Sequence, residues 1–165
     1  FFDLYMIHNG QKSDQPGYIF GFPLLPLDGI INLWKDWATI IDNESDEGMK
    51  ELSEFCKCKS GRSIKPIYAN KKWIPITHDW AGNHIGLDFD PDSTGTVGQV
   101  INFGRDEDAK YVLAKDLSEF YNFIITQFET DNVKFDDDNG KVWMNIREPV
   151  NTHFMDVIPE LFGGK

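Results

Sequence analysis

The stretch WIPITHDWAGNHIGLDFDPDSTGTVGQVINF, Trp73 to Phe103, decides the fold. It holds three apolar runs parted by two joints rich in Gly, Pro, Asn, Asp and Ser, residues that make tight reversals. Ile74 and Ile76 alternate in the first run, and Ile85, Leu87 and Phe89 in the second. Val97, Ile101 and Phe103 share one face of the third. Period-two alternation sets one side of a strand on a core and the other in water. The pattern predicts three sequential antiparallel strands, with His84, Gly86, Asp88 and Asp90 on the watery side.

Outward from this ribbon the helices declare themselves. Phe1 to Gln11 reads as the last turns of a helix stopped at Asn9-Gly10. Tyr18 to Leu27 is apolar and broken by Pro, an expected edge strand and turn. Asp28 is placed to cap the helix whose stripe is Ile30, Leu33, Trp34, Trp37, Ile40 and Ile41. Asp42 to Gly48 is an acidic helix entry, and Met49, Leu52, Phe55 and Cys56 give the next helix its apolar side. Ile64 to Asn70 and Tyr111 to Ala114 are expected strands, joined to their neighbours by Lys59 to Ser63 and by Gly104 to Lys110. Asp116 and Glu119 have capping-box spacing ahead of the stripe Leu117, Phe120, Tyr121, Ile124 and Phe128. Asn132 to Asn145 reads as a hairpin turning at Asn139-Gly140, and Thr152 to Phe162 as a short helix restricted by Pro159.

The fold class is therefore α+β: a mainly antiparallel, twisted sheet of about six strands with helices packed against it. A chain of 165 residues is sized for a single domain, 1–165. Thirteen Phe and five Trp are too much apolar surface for a disordered chain. The net charge of −11 opposes binding to a phosphate backbone. It suits a basic partner, a cation, or solubility alone. Cys56 and Cys58 stand in a C-x-C on an expected helix, with no second pair to complete a metal site, so they read as spectator thiols. Low cysteine usage, no visible signal peptide and no membrane-length apolar run lead to the expectation of a cytoplasmic protein. Phe1 stands, without a Met, inside what reads as a helix.

The search for chemistry is mostly negative. Asp88, Asp90 and Asp92 alternate as calcium ligands do, but an EF-hand loop counted from Asp88 needs Gly where Ser93 stands and Glu where Gln99 stands. The aspartyl-nucleophile loop of dehalogenase-type phosphatases resembles this Asp-x-Asp, yet it sits on a parallel sheet that this pattern lacks. Asp92-Ser93-Thr94-Gly95 is not the Asp-Thr-Gly of aspartic proteases and occurs once, where two carboxylates are required. His78, Asp79 and His84 lie close in sequence, but no further metal ligand accompanies them. No G-x-S-x-G elbow and no phosphate loop is present. The expectation is a chain with no catalytic residues, no metal and no cofactor.

Five pieces in order carry a family likeness: LYMIHNGQ (Leu4 to Gln11), FGFPLLPLDGIINLW (Phe20 to Trp34), IKPIYANKKWIPI (Ile64 to Ile76), GNHIGLDFDPDSTGTVGQVI (Gly82 to Ile101) and YVLAKDLSEF (Tyr111 to Phe120). Together they resemble the SUKH superfamily, in the branch of the fungal cell-wall assembly and glucan-synthesis regulator. Trp73, Gly82, Asn83, Gly95, Gly98 and Gln99 fall on its structural motif. Ala69 stands where the family often has a bulky aromatic, Asn83 where Asp is common, and GRDED where a His-Asp pair often follows. The likeness implies a SUKH-like core over about 1–128, with residues 129–165 as an extension. It also implies a non-enzymatic binding protein.

Bacterial members of the superfamily are implied to be immunity proteins that neutralise a toxin domain, often a nuclease. Fungal members are implied to be scaffolds in cell-wall regulation. The first role is the leading expectation. A basic toxin domain would then be the partner, with no direct nucleic-acid or membrane contact. The expected contacts are Asp88, Asp90, Asp92, Asp106, Glu107 and Asp108, with Asp42 to Glu47 as a further acidic patch. The alternatives are the scaffold role and a metal-dependent hydrolase using Asp88 and Asp90.

Overall fold

The computed structural model describes residues 1–12, 17–138 and 141–164. Its centre is an antiparallel sheet of β2 (Trp73–Pro75), β3 (Asn83–Asp88), β4 (Gln99–Gly104) and β6 (Val112–Ala114), in that order. The expected ribbon is there, with Trp73 opposite Asp88 and Asp88 opposite Gln99. The α+β class holds. The expected strands, however, do not all join one sheet. β1 (Lys57–Cys58) pairs parallel with β5 (Ala109–Lys110), and β7 (Lys134–Asp138) pairs antiparallel with β8 (Lys141–Asn145), each apart from the central four. The expected hairpin turn at Asn139-Gly140 lies outside the described residues.

One expectation is overturned: neither face of the ribbon is in water. Every residue of β3 and β4 is buried. Ile85, Leu87 and Val100 meet the larger apolar cluster, with Phe20, Phe120 and Phe154. Trp73, Ile101 and Phe103 meet a second cluster on the opposite face, with Ile64 and Ile67. Each Ile or Leu so buried contributes roughly 1.5–3 kcal/mol relative to exposure. The second face is covered by α2 (Leu27–Asn43), whose Trp37 packs on Phe103 at 6.3 Å between ring centroids, and by the loop carrying Ile64. His84 and Asp88 are consequently interior polar groups, and an interior polar group must be hydrogen-bonded. Gly86 is needed between them: a Cβ there would lie 2.3 Å from the Ile74 carbonyl oxygen and 2.7 Å from the Phe103 ring.

Other elements depart from expectation for local reasons. Val97 precedes β4 and is exposed. Residues 64–70 form turns, since Pro66 has no donor and the Ile67 N–H bonds to the Lys65 carbonyl instead of a ladder. Tyr18 to Leu27 makes only single bridges, Gly17 to Gly21, Ile19 to Phe22 and Leu24 to Thr77, around a tight reversal. Cys58 lies in β1, because α3 (Asp46–Leu52) has ended, and α3 buries no residue. Of the α2 stripe, only Ile30 and Trp37 are buried. Its cap is not Asp28: Pro26 holds that position and Asn9 Oδ1 accepts from the Leu27 N–H at 2.9 Å. The helix after β6, α4 (Leu117–Glu129), starts as expected, with the Glu119 N–H donating to Asp116 Oδ1 at 2.8 Å. The terminal helix α5 (Phe154–Phe162) seats Phe154 against Phe20, with ring centroids 4.7 Å apart.

Candidate partner-binding site

Two turns flank the β3–β4 ribbon, and they are built on different chemistry. At one end the Asp88 carboxylate accepts from the Trp73 indole at 3.0 Å, Gln99 Nε2 at 2.9 Å and the Asp90 N–H at 2.9 Å. Burial pushes its pKa up against those donors. Gln99 is fixed in turn, donating to the Ser63 carbonyl at 2.8 Å and accepting from the Thr96 N–H at 3.1 Å. Gly98 has φ +87°, and its N–H closes on the Asp88 carbonyl at 2.7 Å. A Cβ on Gly95 would lie 2.2 Å from the Ser63 carbonyl oxygen. Trp73, Asp88, Gln99 and the two glycines thus lock a loop. They present nothing to a partner, and Asp88, at 0% exposure, does not fit its expected role as a contact or a hydrolytic carboxylate.

The remaining acidic candidates are divided. Asp90 pairs with Lys65 at 2.7 Å and accepts from Asn70 at 2.9 Å. These bonds hold its pKa below the ordinary value. Asp92 caps its own turn by accepting from the Ser93 N–H. Glu107 is half-buried, accepts from Asn102 Nδ2, and burial raises its pKa. Asp106 and Asp108 are exposed. The register sets Asp88 opposite Gln99 and Asn83 opposite Gly104. Asp90 and Asp92 therefore leave one end of the ribbon while Asp106 to Asp108 leave the other, roughly 17 Å apart by strand rise. They do not make one patch. Asp42, in the further acidic group, is paired with Lys71.

The turn at the Asn83 end forms a cleft. Asp79 organises it: Oδ1 accepts from the Ala81 N–H at 2.7 Å and the Asn83 N–H at 2.9 Å, and Oδ2 from Asn83 Nδ2 at 2.7 Å. Burial raises its pKa, but those hydrogen bonds outweigh it and leave the carboxyl below its ordinary value. Asn83 Oδ1 accepts from the Asp106 N–H at 2.9 Å, which ties the β4–β5 loop to the same turn. Gly82 completes the reversal at φ +103°. Trp80 stands out of the turn at φ +66°, 76% exposed, with its ring tilted 54° against His78 at 3.8 Å between centroids. Opposite it the C-terminal extension supplies Trp143, 44% exposed, and His153, whose Nε2 is 3.4 Å from Asp79 Oδ2. Phe22 packs on His153 at 5.1 Å. Between these walls is a cavity of about 350 Å³.

Of His78, Asp79 and His84, the first two line this cleft and His84 does not. His84 is 1% exposed, donates from Nδ1 to the Thr77 carbonyl at 2.9 Å and accepts from the Trp37 indole at 3.0 Å. Among the described residues no cluster of three or more His, Cys, Asp or Glu could hold a metal ion. Sequence reasoning missed the cleft. Its one signal was Trp80, a large ring inside a joint otherwise made of turn residues. Nothing in the sequence paired it with Trp143.

The model of the SMI1 / KNR4 family (SUKH-1) matches residues 1–122. The chain is similar to the cell wall assembly regulator SMI1 of Saccharomyces cerevisiae, with 30% identity over 82% of this chain and 32% of that protein. It is similar to the cell wall biosynthesis/cell cycle regulator smi1 of Schizosaccharomyces pombe, with 31% identity over 82% of this chain and 28% of the relative. The glucan synthesis regulatory protein of Neurospora crassa is 26% identical over 82% of this chain and 31% of its own. The chain thus spans less than a third of the length of these relatives. The family match ends before the residues that close one side of the cleft, Trp143 and His153.

Proposed function

The chain belongs to the SMI1 / KNR4 family (SUKH-1), and from that premise we propose that it is a non-enzymatic protein-binding module of a cell-wall assembly regulator. The observation that carries this reading is the 30% identity, over 82% of the chain, to a protein named for that task. The site supports it. The interior polar groups, Asp88 and His84, are satisfied by fixed partners and buried away from any substrate. The exposed groups of the cleft are the aromatic rings of Trp80 and Trp143, which suit recognition more than reaction. The free thiols of Cys56 and Cys58 accord with a reducing, cytoplasmic location.

The test is a chimera. The segment of Saccharomyces cerevisiae SMI1 that matches this chain is replaced by the chain itself, in cells lacking the native regulator. The expected result is restored growth under cell-wall stress. A chimera present at normal levels that leaves the cells as sensitive as the deletion overturns the reading.

A second reading, neutralisation of a basic toxin domain, draws on the net charge of −11 and the exposed Asp106 and Asp108. It requires tight, salt-weakened binding to such a domain, measured by calorimetry. The named relatives are regulators, so the first reading leads.

A further inference from the structure

The walls of the cleft define the chemistry of what would fill it. Its lining contains no Lys or Arg, and its one carboxylate, Asp79, has a side chain only 1% exposed at the base. Glu107 lies close enough to both Asp79 and Asp156 to feel their charge, which adds carboxylates behind the cleft floor, where His153 Nε2 already stands 3.4 Å from Asp79 Oδ2. The one cation on the adjoining loop, Arg105, is 3.4 Å from Asp106. The mouth is aromatic. Trp80, 76% exposed, tilts its ring against His78, and Trp143 stands opposite Asp136 in the hairpin register, which puts a carboxylate beside its ring. Open indole faces above a carboxylate attract a cation with an apolar stem. A cavity of about 350 Å³ is at the small end of ligand sites and has room for one long side chain.

We propose that this cleft receives one arginine or lysine side chain from a basic segment of a partner protein, held between the Trp80 and Trp143 rings over Asp79. Arginine is the better fit, because its planar guanidinium stacks on indole and is less strongly hydrated than an ammonium. This deepens the protein-binding reading and rests on it. It also gives the extension a role that the family core alone does not supply, since Trp143 and His153 lie beyond the matched residues.

The test uses the whole chain and blocked pentapeptides, Gly-Ser-X-Ser-Gly, with X as Arg, Lys, norleucine or Glu, together with a proline-rich peptide. Indole fluorescence and amide shifts are followed. Affinity for the Arg and Lys peptides is expected on the order of 1 mM, with norleucine and Glu at least tenfold weaker. Trp80→Asn, a residue that tolerates positive φ, and Trp143→Thr, which suits a strand, should each weaken the Arg peptide roughly three- to thirtyfold. Amide spectra check that both variants remain folded. Equal binding of norleucine or Glu, or wild-type binding by both folded tryptophan variants, overturns the proposal. So does tighter binding of the proline-rich peptide, which would assign the cleft to polyproline. The peptide experiment needs no cell-wall phenotype: if it fails while the chimera works, only this inference falls, and the converse removes only the cell-wall reading.

Discussion

The buried His84 makes stability depend on pH in a way that can be isolated. Nδ1 donates to the Thr77 carbonyl and Nε2 accepts from the Trp37 indole, an arrangement that only the neutral ring satisfies. Protonation would turn Nε2 into a donor facing a donor. Burial pushes its pKa down from 6.5 to about 4, against the opposing pull of the Thr77 carbonyl and Asp79. Between those values the unfolded chain binds a proton that the folded chain refuses, so stability rises with pH across the window. The contribution is fully present above about 6.5 and is lost as pH falls through about 4. At 1.36 kcal/mol per pH unit of difference, the loss is about 3 kcal/mol. That is a large part of the ~5–15 kcal/mol that holds a domain of this size.

The assay is urea unfolding at pH 7, 5.5 and 4 on the wild type and on His84→Gln. Glutamine can donate to Thr77 and accept from Trp37, but it does not titrate in this range. The comparison is needed because other groups titrate as well. Burial raises Asp88 and Glu107, and each of these favours the folded state more as pH falls, the opposite sign. His78 is lowered by burial and acts with His84. Those contributions are common to both proteins and cancel in the difference. Wild type should lose about 3 kcal/mol more than the variant between pH 7 and 4. Parallel curves would falsify the claim that His84 is held neutral by its two partners.

Three further outcomes follow from the loop and the caps. Asp88→Asn turns an amide toward Gln99 Nε2, which is already fixed by Ser63 and Thr96, and should cost about 1–3 kcal/mol in urea unfolding; an unchanged midpoint would mean the carboxylate is not the acceptor described. Gly95→Ala forces a Cβ against the Ser63 carbonyl and should destabilise by about 1–3 kcal/mol in thermal unfolding, with shifted amide signals at Ser63 and Gln99. Asp116→Ala removes the acceptor for the Glu119 N–H and should cost about 1 kcal/mol, while Asp116→Ser should recover most of it.

The parts of the fold legible in the sequence were those in which one residue's pattern sufficed. The β3–β4 ribbon follows from alternation and turn residues, and the start of α4 from Asp116 and Glu119. What failed needed a partner distant in sequence. Alternation reported two faces correctly but assigned one of them to water, because it cannot see Trp37 arriving from 47 positions away to cover His84. The same blindness made Asp88 look like a surface acid. Its indole donor, Trp73, and its amide donor, Gln99, are adjacent only across the register. The helix cap on α2 came from Asn9, which the sequence marked only as the stop of an earlier helix.

The cleft illustrates the same limit from the functional side. Composition makes charge visible and so points to the acidic residues as contacts, yet three of them serve the structure: Asp88 a loop, Asp90 its pairing with Lys65, Glu107 its bond from Asn102. A carboxylate already satisfied by neighbours gains little from a partner. An indole left in water gains a great deal, because covering it removes apolar area and adds the attraction of its face for a cation. On the proposed docking, charge would set the sign of the partner and the exposed aromatics the place where it docks. On that argument Trp80 and Trp143 outrank every acid in the ribbon. Neutralising Asp106 and Asp108 together should lower the association rate of a basic peptide more than it raises the dissociation rate, whereas removing Trp80 should do the reverse. NMR lineshape analysis of the peptide titration at two salt concentrations separates the two, and an equal effect of both changes on dissociation would sink the division of labour.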